Sequence, residues 1–94
     1  MSFARAVSFE GVTKDRVAQL ERELNEGERP EGMPATEILM LHDPGDEKSL
    51  VIVFFETEDD YAAGDRILSA MPAGETPGRR TSVTKYEVAI RRKI

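Results

Sequence analysis

Residues 50–55 read LVIVFF, and no other stretch limits the fold as tightly. In an extended chain successive side chains point to opposite faces, so Leu50, Ile52 and Phe54 share one side and Val51, Val53 and Phe55 the other. Both sides are apolar, so this strand needs a covering layer on each. A chain of 94 residues has room for one core only, and 1–94 is read as a single domain. A domain this small buries only about 60–65% of the surface its unfolded chain exposes, so a partner adds much.

The flanking segments supply one of the two layers. SFARAVSFE (2–10) alternates as a strand, with Phe3, Arg5, Val7 and Phe9 on one face and Ala4, Ala6 and Ser8 on the other; either face suits a helix layer. GVTKDRVAQLERELNEG then predicts a helix. Thr13 caps it, Val12 and Val17 stand at staple spacing, and Val17, Leu20 and Leu24 form its apolar stripe. Gly27 is expected to end it in a left-handed conformation. ERPEGMP (28–34) is a loop, ATEILMLHD (35–43) a second strand, and the Pro44-Gly45 turn joins it to SLVIVFFE as an antiparallel hairpin. Thr57, followed by Glu58, Asp59 and Asp60, starts a second helix. There the acidic run suits the positive helix end, and Tyr61, Gly64, Leu68 and Met71 face the core. Pro72 closes that helix, 72–80 is a loop, and TSVTKYEVAIRR (81–92) is the last strand.

The order βαββαβ predicts an α+β, ferredoxin-like fold: a four-stranded antiparallel sheet with both helices on one face. The other sheet face is apolar and wider than a soluble monomer exposes, so a second copy packed about a two-fold axis is expected to cover it. On that reading a monomer leaves Val51, Val53 and Phe55 bare.

Charge and composition narrow the partners. Eighteen acidic against thirteen basic residues give a net charge of −5, which argues against nucleic acid and anionic membranes. There is no cysteine, hence no disulfide or thiolate chemistry, and no run approaches the roughly 20 apolar residues of a membrane span. MSFARAVSFE lacks a signal-peptide core, and a cytoplasmic location is expected.

FETEDDYAAGDRILSAM and GETPGRRTSVTKYEVA, with the element order, resemble the dimeric α/β-barrel superfamily. That superfamily holds uncharacterised small actinobacterial proteins and, more distantly, the antibiotic-biosynthesis-type monooxygenases. The resemblance covers nearly the whole chain. It implies a homodimer whose two sheets form a barrel, with a small apolar or aromatic molecule in its cavity. It also implies an alternative, a cofactor-free monooxygenase acting on a phenol or quinol. Trp is absent and the one Asn, Asn25, lies on a predicted helix, which favours binding over catalysis. Neither a cofactor nor a metal is expected, although haem-binding relatives use a His or Asn ligand.

Four residues stand out as candidate ligand contacts. His42, the only histidine, suits a base or a haem ligand; a hydrogen bond to Asp43 or to backbone is the plainer alternative. Arg5, in mid-strand, must be paired or must meet a ligand. Its alternatives are a cross-strand pair with Glu87 and an anchor for an acidic or carbonyl-bearing ligand inside the barrel. Phe55 and Tyr86 are the aromatic candidates for a cavity wall, with the core as their alternative. GETPGRRTS lacks phosphate-loop spacing and precedes a strand, and neither an RNA-recognition motif nor a serine triad is present.

Overall fold

The computed structural model describes residues 1–27 and 32–94. Its elements are β1 (Phe3–Glu10), α1 (Lys14–Glu26), β2 (Glu37–Asp43), β3 (Lys48–Phe55), α2 (Glu58–Ser69) and β4 (Arg79–Glu87), with a 3₁₀ turn at Ala73–Glu75. The sheet is antiparallel throughout, in the order β2-β3-β1-β4, which is the ferredoxin-like arrangement. No helix is long and apolar enough to cross a membrane. The loop read at 28–34 falls partly outside the described residues. Of its remainder, Met33 reaches into the core.

Local chemistry starts both helices where the sequence places them. Thr13 Oγ1 accepts from the Arg16 amide at 3.1 Å, and Thr57 Oγ1 from the Asp60 amide at 3.1 Å, each satisfying one orphan donor of the first turn. Between β2 and β3, Asp43 Oδ1 accepts from the Gly45 and Asp46 amides and so builds the hairpin turn. Gly27 does end α1, but in extended backbone (φ −89°, ψ 161°), not in the left-handed region. Its amide bonds Glu23 O, and a Cβ there would lie 2.5 Å from that oxygen. Close approach is what requires glycine at this position.

Register decides which face meets the helices. Phe3 pairs with Phe55, Arg5 with Val53 and Val7 with Val51, so these share one side of the sheet. There Phe3, Val53, Phe55, Tyr61 and Met33 form one cluster, joined by Ile67 and Leu68 of α2. Val7, Phe9 and Val12 form a second, joined by Val17 of α1. Val51, Val53 and Phe55 are therefore covered by helices. The face left open carries Leu50, Ile52 and Phe54, which corrects the assignment made from sequence. The helices differ in hold: α2 buries Tyr61 and Gly64, whereas no residue of α1 is fully buried and Leu24 is exposed.

Tyr61 packs edge-to-face on Phe55, with ring centroids 5.5 Å apart. Burial first, and the nearby Asp65 charge second, push its phenol above the ordinary value near 10. A pKa raised by folding adds stability that is whole below the unfolded value and disappears as pH climbs through the folded one. Denaturant midpoints measured from pH 8 into the alkaline range are expected to fall steeply above pH ~10, and less steeply in Tyr61→Phe.

Candidate functional site

On the open face the three strands build a graded surface. Small residues of β1 (Ala4, Ala6, Ser8) form a floor, large ones of β3 (Leu50, Ile52, Phe54) one wall, and Ser82, Thr84 and Tyr86 of β4 the other. The register sets them in rows across the sheet: Tyr86–Ala4–Phe54–Glu37, then Thr84–Ala6–Ile52–Leu39, then Ser82–Ser8–Leu50–Leu41. The result is a trough of about 640 Å³, wide enough for a small organic molecule. The short side chains of β1, beside the long ones of β3 and next to Tyr86 of β4, create the depth.

The chain's last residues close one end of this trough. β1 begins at Phe3, which pairs with Glu87, so β4 runs out of partner there, and the strand read through Arg92 stops at Glu87. After Val88 donates to Ser2 O at 2.9 Å, the chain turns across the open face, and Val88, Ala89 and Ile90 line the trough. From β4 to β2 are three strand spacings, about 14 Å, which four extended residues and an arginine side chain span. Arg91 meets that need: its guanidinium lies 4.3 Å from the Phe54 ring centroid and pairs with Glu37 of β2. Both charged side chains remain about half exposed (50% and 47%), so the ion pair contributes at most about 1 kcal/mol, and the ring contact about as much again.

The four residues singled out from sequence divide between the two faces. Tyr86 lies in the trough, 56% exposed. Phe55 is fully buried on the helix side. His42 is on the helix side too, donating from Nε2 to Val12 O at 2.8 Å, the backbone alternative anticipated for it. Arg5, only 3% exposed, is also there. It pairs not with Glu87 but with Asp65 of α2 (Nε–Oδ1 2.8 Å), and its Nη2 donates to Ser69 Oγ at 3.2 Å. It thus ties β1 to α2 and faces away from the trough.

The neighbouring β4 position carries Lys85, whose Nζ donates to Glu58 at 2.9 Å and lies 5.1 Å from the rings of both Phe3 and Tyr61. That hydrogen bond holds the Glu58 carboxyl below its usual range and raises Lys85. In GETPGRRTS, Gly78 permits contact with β1, since a Cβ there would lie 2.4 Å from Glu10 O. Arg79 pairs with Glu10, and Arg80 donates to Leu68 O. Gly78 and both arginines of that loop thus have structural partners. Among the described residues no three His, Asp or Glu side chains gather as a metal site would need.

Sequence reasoning missed the floor of β1 and the Arg91–Glu37–Phe54 contact. The first had a visible signal, three small residues alternating with Phe, Arg, Val and Phe. The second had none, because YEVAIRR reads as uninterrupted strand. No protein-family model matches the chain, and no curated protein matches its sequence.

Proposed function

We propose that the protein is a homodimer in which two open sheet faces close on each other as a dimeric α/β barrel, and that the enclosed trough binds a small, largely apolar or aromatic molecule. The observation that carries this reading is the uncovered apolar face. The chain exposes 6691 Å², against about 5,400 Å² expected for a folded monomer of its mass. The excess of roughly 1,300 Å² per chain is shared between the open sheet face and the exposed ends, where Met1, Ile90 and Ile94 are 82%, 88% and 123% exposed. Leu39 and Leu41, 41% and 50% exposed, extend the apolar area beyond the trough walls to the sheet edge. An identical face, carrying the same depression over Ala4 and Ala6, leaves it enclosed.

Light scattering on a sizing column is expected to give about twice the 10.5 kDa chain mass. Ile52→Lys, which sets an ammonium in the middle of the face, is expected to weaken association by roughly a hundredfold or more and leave a folded monomer. A wild-type monomer at all concentrations would remove the proposal.

The catalytic alternative has one observation in its favour: Tyr86 brings a phenol hydroxyl into the trough. With Arg5 committed to Asp65 on the other side, Tyr86 is left to orient a phenolic or quinol substrate. Oxygen uptake with anthrone-type substrates that falls in Tyr86→Phe would support it. No uptake across a panel, with both proteins alike, leaves the binding reading alone.

A further inference from the structure

The charge of the chain is unevenly placed. All eighteen acidic residues and ten of the thirteen basic ones precede residue 91, so 1–90 carry −8 while Arg91, Arg92 and Lys93 carry +3. Of these three, Arg91 lies at the rim of the trough. Its guanidinium covers Phe54 at the end lined by Val88, Ala89 and Ile90. Its present partner, Glu37, is about half exposed.

We infer that the molecule bound in the trough is an organic anion, an apolar or aromatic body bearing a carboxylate, and that Arg91 receives that carboxylate in exchange for Glu37. This rests on the trough being the ligand site. The body lies on Ala4, Ala6 and Ile52, where there is no polar demand to meet. The carboxylate lies at the row Tyr86–Ala4–Phe54, between the Tyr86 hydroxyl and the Arg91 fork. Arginine suits this role because its planar donors match a carboxylate two at a time, and stacking on a ring fixes the plane. The exchange is feasible because an exposed ion pair holds its partners weakly, and a carboxylate brought in with its apolar body binds with the body's burial added. Glu37 then acts as an internal competitor: it holds Arg91 in position while the site is empty and returns to solvent when the ligand arrives.

The experiment compares 1-naphthaleneacetate with 1-naphthaleneacetamide, which share body and linker and differ in the charged group, by calorimetric titration of the intact protein. Wild type is expected to bind the acid about tenfold more tightly than the amide, with the preference shrinking as salt is raised. Arg91→Gln is expected to abolish the preference by weakening the acid about tenfold and the amide far less. Glu37→Gln is expected to strengthen acid binding several-fold, the opposite of what loss of a merely structural pair would do. Equal binding of both probes by wild type overturns the inference and leaves the trough as a site for neutral molecules. So does an Arg91→Gln variant in which both probes weaken together, because Arg91 then only holds the chain end in place. Failure of wild type and both variants to bind either probe removes the small-molecule reading of the trough itself, and this inference with it.

Discussion

Gly64→Ala lowers the stability of the protein by about 2 kcal/mol, although alanine is the better helix former. In a solvent-facing turn the same change would gain about 1 kcal/mol, because glycine loses more backbone freedom on entering a helix. At position 64 the added methyl has no place to go. Its Cβ would lie 2.2 Å from Cε1 and 2.5 Å from Cζ of Phe55, whose side chain is completely buried. Tyr61, one turn before Gly64 on α2, also packs edge-to-face on Phe55, and both rings belong to the cluster that fastens α2 to the sheet. Either the ring leaves its rotamer or α2 lifts. Overpacking of this kind costs about 1–3 kcal/mol or more, and the upper end applies because the obstacle is a ring with neighbours on every side. Steric cost outweighs helix propensity, and the melting temperature is expected to fall by roughly 10 °C for a domain of this size. The measurement is a pair of thermal or urea melts, with Phe55→Leu/Gly64→Ala as the check. If the clash is with the ring, the double variant loses less than the sum of its single changes. A Gly64→Ala protein as stable as wild type would show that the close approach does not exist.

The second large effect separates two changes to one ion pair. Asp65→Ala is expected to cost about 2–3 kcal/mol, while Arg5→Met stays within about 1 kcal/mol of wild type. The guanidinium side chain is 4% exposed, so deleting the carboxylate leaves a charge that water scarcely reaches; Ser69 Oγ remains as a partial substitute. Asp65 is 40% exposed, so when Arg5 is removed its carboxylate turns to solvent and stays hydrated. Methionine fills the space of the arginine stem between Phe3 and Val7 without a charge to satisfy. The order of the two variants in urea midpoint is the test; Arg5→Met below Asp65→Ala would contradict it. Because Arg5 lies on the helix side, neither change is expected to alter binding of the naphthalene probes. That divides the scaffold from the site.

Much of this architecture is legible in the sequence because it is locally encoded. Thr13 and Thr57 announce helix starts through hydroxyls that reach amides three residues on, and the Asp43–Pro44–Gly45 turn fixes the hairpin within a few positions. The apolar third strand also announces a covering layer, and the helices supply one on the side of Val51, Val53 and Phe55. What stays hidden is long-range. The partner of Arg5 is Asp65, sixty positions away on α2, and nothing in the alternation of SFARAVSFE states whether phenylalanines or alanines meet the helices. The end of β4 was overread for a similar reason: Tyr86, Val88 and Ile90 alternate as a strand would, but pairing stops where β1 begins. The trough followed from both facts, so of the four candidate residues only Tyr86 lies in it.

The central position of β1 has one more consequence. Hydrogen-bonded to β3 on one side and β4 on the other, it presents Ala4, Ala6 and Ser8 to one half of the molecule and Phe3, Val7 and Phe9 to the other. A slip by a single residue would exchange the two sets, filling the depression with phenylalanine and hollowing the core. Withdrawing three large side chains from the core would cost about 5–8 kcal/mol, comparable to the whole stability of a small domain. The hollow is therefore guarded by the free energy of folding itself. It is not space that a loop keeps open, and the chain cannot fill it by local adjustment without giving up its native state.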